Sequence, residues 1–414
     1  MYITRNIEAK INDMIGKFPV VLITGPRQVG KTTVLSETIA KVKGYNYVTL
    51  DDPMIRSLIK DDPMLFLQRY ETPLIIDEIQ YGKELLPYIK IIVDKRNMDD
   101  NEKSSGMYIL TGSQMFRMMK DVSESLSGRA GILNLYGLTA NEINGTIEKS
   151  FIPTYNYIKD RYQNYKPNIN EVFKKIFRGS MPKLYINNKI TESEYFSSYV
   201  ATYLERDIRD LITIKDENKF LKFLANVAVR TGQELIYEKL AKTSDVDIKT
   251  AKSWISILES SGIIYLLNSY SNNDVKRIIK RPKIYFMDTG LACYLARYID
   301  SRTLEISAFS GAIFETYVVT EIIKTYINEG LNPKLYLYYY RDTNQNEVDL
   351  IIVRNNSLHP IEIKKSTNPG KKSIKNFNVL RRSVIPVAEG GVICMCDQVI
   401  PIDEKNNFIP ISCI

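Results

Sequence analysis

The run Gly25-Pro26-Arg27-Gln28-Val29-Gly30-Lys31-Thr32 constrains this chain more than any other stretch. It satisfies G-x-x-x-x-G-K-[ST] at every fixed position. An apolar strand over 20–23 leads into it, and a helix-competent stretch over 33–40 leads out. Glycines let the backbone turn its N–H groups toward phosphate oxygens, and the following helix adds its positive end. The pattern therefore predicts a strand, a phosphate-cradling loop made by Gly25, Pro26, Arg27, Gln28, Val29, Gly30, Lys31, Thr32 and Thr33, and a helix. In this reading Lys31 reaches the β- and γ-phosphates of ATP, and Thr32 places its hydroxyl on Mg2+. Residues 18–145 alternate apolar strands with helical stretches, which reads as an α/β sheet. Strands are expected over 19–24, 45–50, 74–77, 107–111 and 131–135.

A nucleotide site also needs a carboxylate at the end of a buried strand. Leu74-Ile75-Ile76-Asp77-Glu78 supplies one. Asp77 is the expected Mg2+ partner, and Glu78 is placed to polarise an attacking water. An Asp-Glu pair favours hydrolysis over transfer to a metabolite. Thr111 and Ser113, at the tip of a third strand, are candidate sensors of the γ-phosphate. Arg129, in Ser127-Gly128-Arg129, is a candidate arginine finger acting in trans, with a surface salt bridge as the alternative.

Composition narrows the rest. A single histidine, His359, excludes His-rich metal sites and disfavours His-based triads. Any metal is then a hard ion held by oxygens, which means Mg2+ rather than Zn2+. Four cysteines are too few for a disulfide scaffold in 414 residues, so a reducing cytoplasm is expected. No apolar run approaches the ~18 residues of a spanning helix, so no membrane partner is expected. The formal net charge of +8 permits an acidic partner such as nucleic acid.

Four regions are expected: an ATPase domain over 1–150 that opens with a short amphipathic helix, a helical connection over 151–230, a winged helix over 231–300 and an α/β domain over 301–414. Residues 146–170 read as a connecting segment. Helices over 234–241 and 248–260 flank a turn with an N-cap candidate at Asp247. Ala251, Trp254, Ile255 and Leu258 make the buried face, while Lys249, Thr250 and Lys252 are exposed. Strands over 263–267 and 283–286 follow, with Lys276, Arg277, Lys280, Arg281 and Lys283 at a basic wing tip. This is the pattern of a winged helix-turn-helix. Lys249, Lys252, Lys276, Arg277 and Lys280 are its candidate contacts to duplex or branched DNA.

The last region is expected to hold a helix near 311–328 and strands near 334–340, 347–353, 359–364 and 390–396. Within a strand, residues i and i+2 share a face, so Glu362 and Lys364 point the same way. A hairpin would bring Asp349 to Glu362, two carboxylates suited to Mg2+, with Lys364 orienting or deprotonating water and Glu315 approaching from the helix. Residues 364–382 carry Lys364, Lys365, Lys371, Lys372, Lys375, Arg381 and Arg382 without an acid, as a nucleic-acid track would.

The sequence through residue 145 resembles the AAA-type ATPases whose loop reads G-P-R-Q-x-G-K-T-T, with Leu50-Asp51-Asp52-Pro53 after the second strand. The remainder is similar to the domain of unknown function that follows that ATPase in bacteria and archaea. The resemblance is carried by Tyr203-Leu204-Glu205-Arg206-Asp207, Arg230-Thr231-Gly232, Asp288-Thr289-Gly290-Leu291, Phe314-Glu315 and Glu347-Val348-Asp349. It implies nucleotide binding by the loop and ATPase action through Asp77 and Glu78. It also implies a C-terminal fold similar to restriction endonucleases and archaeal Holliday-junction resolvases, onto which Glu315, Asp349, Glu362 and Lys364 map. By analogy, a homo-oligomer with sites at subunit boundaries is expected. The overall expectation is an ATPase that couples nucleotide state to DNA binding or processing. The alternatives are an ATP-dependent switch whose C-terminal domain binds a partner without cleaving, and a metal-dependent endonuclease licensed by ATP.

Overall fold

The computed structural model describes residues 2–99, 104–113, 122, 124–162, 168–203, 217–272 and 280–414. Five parallel strands form the first sheet: β1 (Val20–Thr24), β2 (Asn46–Thr49), β3 (Leu74–Asp77), β4 (Tyr108–Gly112) and β5 (Ala130–Asn134), in the order β2-β3-β4-β1-β5. All five stand within a residue or so of their expected ends. The alternation of side chains along each strand feeds two different cores. Val20, Leu22, Leu74, Ile76 and Leu110 pack with Phe66, Leu67, Ile89 and Val93 from the covering helices. Val21, Ile23, Ile75, Ile109 and Leu133 join a larger core with Phe173, Phe196, Phe223 and Phe314, from the middle and C-terminal parts of the chain. That core takes in Ile7, Ile11, Ile15, Val34 and Leu35 from the N-terminal part and runs on into later parts of the chain.

Two successive N-caps set the helices after β2. Asp52 accepts from the Met54 amide at 2.8 Å, and Asp62 from the Leu65 amide at 2.9 Å, each with a proline next. The opening helix is Glu8–Ile15, within the expected segment. The segment expected to be a mere connection contains the helix Tyr155–Arg161, with Ile158 buried, so it packs instead of spanning open solvent.

In the middle region the helix Tyr237–Ser244 starts three residues later and runs three residues further than expected. The next, Ile248–Ser260, begins where Asp247 accepts from the Thr250 amide at 2.8 Å, as its cap position predicts. Ala251, Trp254, Ile255 and Leu258 are buried, while Lys249 and Lys252 are exposed. An antiparallel pair comes next, β6 (Ile264–Leu267) and β7 (Lys283–Phe286). Lys276 and Arg277 lie outside the described residues.

The C-terminal sheet has six strands: β8 (Leu337–Arg341), β9 (Glu347–Arg354), β10 (Ser357–Lys364), β11 (Gly390–Cys394), β12 (Ile400–Pro401) and β13 (Asn406–Pro410), ordered β12-β13-β11-β10-β9-β8. β8, β9 and β10 pair antiparallel, whereas β10, β11 and β13 pair parallel. The last two strands lie beyond the sequence expectation. The helix Ser310–Asn328 precedes this sheet and is buried without interruption from Val318 to Asn328. Its buried stretch includes Glu321, Lys324 and Asn328, polar groups that burial obliges to find partners. Among the described residues, no helix is long and apolar enough to cross a membrane.

Candidate functional site

The loop after β1 is shaped by close backbone approach. Gly25 has φ +150°, and a Cβ there would stand 1.9 Å from the Leu135 carbonyl oxygen. Gly30, at φ +94°, turns the chain into the helix that starts at Lys31 and whose stretch Leu35–Ala40 is π-wound. Lys31 is 6% exposed, and its Nζ donates to the carbonyls of Gly25 and Pro26 at 2.9 and 2.8 Å. The ammonium is therefore held inside the curve of the loop.

Thr32 Oγ1 donates to Asp77 Oδ2 at 2.8 Å, and Tyr47 OH donates to the same oxygen at 2.8 Å. Thr111 Oγ1 donates to the other oxygen, Oδ1, in a close contact, and accepts from the Glu78 amide at 3.3 Å. Asp77 is 4% exposed at the tip of β3. Burial, followed by the Asp77 carboxylate, pushes the Tyr47 phenol upward, which keeps it a donor. Glu78 stands in the left-handed region at φ +58°, and Gln80 Nε2 donates to its Oε2. The same amide nitrogen lies 3.5 Å from Ser113 Oγ. Of the two sensor candidates, Thr111 contacts the acidic pair and Ser113 reaches it only through Gln80.

A hydroxyl and a carboxylate side by side are hard oxygen donors, the chemistry Mg2+ requires, so Thr32 and Asp77 fit it. The loop borders a cleft of about 730 Å3 whose opposite wall is Pro182, Lys183, Ile186 and Thr202 from the middle region. That region also grips the loop, since Tyr195 OH donates to Gln28 Oε1 at 2.7 Å. From the other side, Arg5 is 5% exposed, donates to the Val29 carbonyl at 2.8 Å and stands 3.1 Å from Glu142 Oε1. Arg129 is not brought to this site. Its guanidinium is bidentate on Asp94 of its own chain, the salt-bridge alternative.

Tyr47, Gln80, Arg5 and Tyr195 are absent from the sequence expectation. Only Tyr47 leaves a signal there: it lies two residues before Thr49, the register partner of Asp77, and so on the same face.

The second constellation forms on β9 and β10. Lys364 Nζ lies 2.7 Å from Glu362 Oε1 and 3.6 Å from Asp349 Oδ2, and Asp349 Oδ2 accepts from the Ile363 amide at 2.8 Å. Burial and the Asp349 charge push Glu362 up to about 8. Glu315 arrives from the long helix, as expected, but its Oε1 is taken by Lys283 Nζ at 3.0 Å and Tyr285 OH at 2.7 Å. Burial raises Glu315, against the lowering pull of Lys283.

Lys283 corrects the sequence reading. Expected at a solvated wing tip, it is instead 2% exposed at the start of β7, which pairs it with Glu315 and Glu347. Lys280 also turns inward, donating to the Arg341 carbonyl at 3.0 Å. The expected Mg2+ pair, Asp349 and Glu362, is brought together on adjacent strands, both within reach of Lys364. Among the described residues, no group of three or more His, Cys, Asp or Glu is arranged to hold a metal. Of the basic stretch after β10, Lys365 donates to the Glu305 carbonyl, while Lys371, Lys372, Lys375, Arg381 and Arg382 are exposed.

The stretches singled out for resemblance do mechanical work around these sites. Asp288 Oδ2 accepts from the Ser180 amide at 2.7 Å, and its Oδ1 caps the next helix at Leu291. Thr231 Oγ1 lies 2.9 Å from Thr316 Oγ1, and Gly232, at φ +79°, runs beside Glu315. Leu204, Glu205, Arg206 and Asp207 lie outside the described residues.

Residues 17–144 match the family model of an AAA domain. Residues 169–302 match a domain of unknown function (DUF8612), and residues 310–414 another (DUF4143). The chain is similar to the uncharacterized protein Rv2008c of Mycobacterium tuberculosis, 26% identical over 418 residues covering 98% of this chain and 86% of the relative. It is also similar to the uncharacterized protein MJ1637 of Methanocaldococcus jannaschii, 26% identical over 302 residues, 66% of this chain and 61% of the relative. Among solved structures, a Walker-type ATPase of Pyrococcus abyssi aligns with 70% of this chain and 94% of its own at 15% identity and TM-score 0.40. The N-terminal part of the chain is an AAA-type P-loop ATPase domain.

Proposed function

We propose that this protein hydrolyses ATP with Mg2+ and uses the nucleotide state to control a DNA-directed C-terminal half. The observation that carries the first part is the convergence on Asp77 of Thr32, Tyr47 and Thr111, beside a loop that encloses the Lys31 ammonium. Lys31 neutralises the β- and γ-phosphates, and the loop amides and helix start orient them. Glu78 polarises the attacking water, and Gln80 with Thr111 fixes its carboxylate and backbone. Thr32 and Asp77 would hold Mg2+, which when bound supplies charge neutralisation to the phosphates. Ser113 is assigned a weaker, indirect sensing role. The wall formed by Pro182, Lys183, Ile186 and Thr202 makes closure of the middle region on bound nucleotide the coupling step.

Two observations support the DNA-directed part. The helix pair Tyr237–Ser244 and Ile248–Ser260 followed by the β6–β7 hairpin agrees with a winged helix that presents Lys249 and Lys252. The mixed C-terminal sheet, with Glu315, Asp349, Glu362 and Lys364 gathered on it, agrees with a restriction-endonuclease-like domain. A second reading, a switch that binds without cleaving, is favoured by one feature: lysines already neutralise part of the carboxylate cluster.

The experiment is an ATPase assay on the full chain with and without duplex and branched DNA, run beside a cleavage assay in Mg2+ and Mn2+. Lys31→Ala should weaken ATP binding by roughly tenfold to a hundredfold, the loss of one charge-assisted contact to phosphate. Unchanged affinity by calorimetry would remove Lys31 from the site. DNA-stimulated turnover with metal-dependent cleavage lost in Asp349→Ala favours the nuclease; turnover indifferent to DNA, without cleavage, favours the switch.

A further inference from the structure

One peptide unit of the phosphate loop is anchored by a side chain from the N-terminal segment. Val29 is 1% exposed, and its carbonyl accepts from Arg5 Nη1 at 2.8 Å. Arg5 is itself held fast. Its Nη2 donates to the Tyr136 carbonyl at 2.7 Å and lies 3.4 Å from the Gly137 carbonyl, just past β5. Its Nε stands 3.1 Å from Glu142 Oε1, with side chains 4% and 0% exposed. Glu142 in turn accepts from the Asn6 amide at 2.8 Å and the Thr139 amide at 3.0 Å. A planar fork with donors in fixed directions can meet several carbonyls and a carboxylate at once, which a point-like ammonium cannot.

The next residue, Gly30, borders the nucleotide cleft, which Arg5 does not line. The Val29–Gly30 bond is trans and planar, so the Val29 carbonyl and the Gly30 N–H point in opposite directions. Fixing the carbonyl on buried Arg5 therefore aims the Gly30 N–H away from Arg5. The covalent structure of the loop does not enforce that choice. Turning this peptide over changes only Val29 ψ and Gly30 φ, and glycine, here at φ +94°, accepts either sign. Turned over, the unit would present a carbonyl oxygen to phosphate, a repulsion in place of an attraction.

We propose that Arg5 is a positioning residue for nucleotide: by anchoring the Val29 carbonyl it holds the Gly30 N–H toward the cleft as a donor to phosphate. This role rests on the reading of the loop as a triphosphate site, and needs neither hydrolysis nor DNA. Loop amides serve the α- and β-phosphates, so the anchor supports ADP and ATP alike. Arg5 then does two separable things. Its ion pair with Glu142 stabilises the fold, and its contact with Val29 shapes the site.

The test is calorimetric titration of the full chain with ADP and with ATP, beside thermal melts. Glu142→Gln breaks the ion pair and leaves the contact with Val29, so the melting temperature should fall with both affinities unchanged. Adding Arg5→Met to Glu142→Gln removes that contact without leaving a buried charge unpaired. The double variant should bind ADP and ATP more weakly by the same factor, roughly tenfold, the worth of one charge-assisted hydrogen bond. Unchanged affinities in a double variant shown folded by circular dichroism overturn the role of Arg5 and leave the triphosphate site standing. An equal loss in Glu142→Gln alone overturns it as well, because affinity would then follow stability and not the Val29 contact. So does a loss confined to ATP, which would place the defect at the γ-phosphate. A wild-type chain that binds neither nucleotide overturns the triphosphate reading itself, and this role with it. Arg5→Lys, which keeps a cation for Glu142 but has no fork, replaces the double variant if that does not fold, with a loss in the same sense expected for both nucleotides.

Discussion

Glu78 and His359 show how a single side chain's surroundings set its chemistry. Glu78 is held by Gln80 through one oxygen and by Thr111 through its own amide, so the carboxylate is oriented rather than free. Glu78→Gln keeps the shape and loses the base. ATP affinity should stay near wild type while kcat falls by roughly 10²–10⁴-fold, the usual worth of general-base catalysis. Normal turnover would remove Glu78 as the base. His359 is 4% exposed on β10, and its Nδ1 meets the Glu389 carbonyl at 2.7 Å. Burial lowers its pKa, so the fold holds the ring neutral. Unfolded chain takes up that proton at about pH 6.5, and folded chain does so only at lower pH. Stability is therefore full above that pH and falls as the solution is acidified through it. As the only histidine, its C2–H resonance can be followed without assignment, and it should titrate below the free imidazole value.

Elements show which parts of the molecule can be read from the chain alone. The five strands of the first sheet and the Asp77–Glu78 pair are legible because a short apolar run with a polar tip has one meaning in a P-loop domain. The i, i+2 rule places Glu362 with Lys364, and the hairpin brings Asp349 to them. Lys283 defeats the same logic. A lysine at the end of a basic run reads as solvated, and only the seating of β7 against Glu315, 32 residues away, makes it internal. Arg5 leaves no local signal, because its partners are Val29, Tyr136 and Glu142. The prediction at this scale concerns that N-terminal segment. Arg5→Ala leaves Glu142 buried with its charge uncompensated and should cost about 3–5 kcal/mol in a denaturant melt. A loss of under ~1 kcal/mol would show the pair to be a surface-grade contact.

The whole molecule is tied together by polar groups as well as by its shared core. Glu321 Oε2 accepts from the Ala140 amide at 2.7 Å, and Lys324 Nζ donates to the Leu138 carbonyl at 2.9 Å, so the long helix grips the strand exit of the first sheet. Asn328 donates to Glu148 Oε1 at 2.6 Å from the same helix. The same helix carries Glu315. One rigid rod therefore links the first sheet to the C-terminal carboxylate cluster. Trp254, the only tryptophan, sits in the middle region packed edge-on against Phe220 and Phe223, and so reports from outside the nucleotide site. Saturating ATP with Mg2+ should raise the tryptophan-detected unfolding midpoint, by about 2.7 kcal/mol of added stability at a hundredfold excess over Kd. A midpoint that ignores nucleotide while far-ultraviolet dichroism responds would mean the regions unfold separately.

The divided loyalty of β1 has a practical corollary. Because the core that receives Val21 and Ile23 is continuous with apolar residues far downstream, scissors placed after residue 150 would bare part of it. Such a piece should precipitate or capture itself, so the N-terminal domain is best handled with the rest of the chain attached.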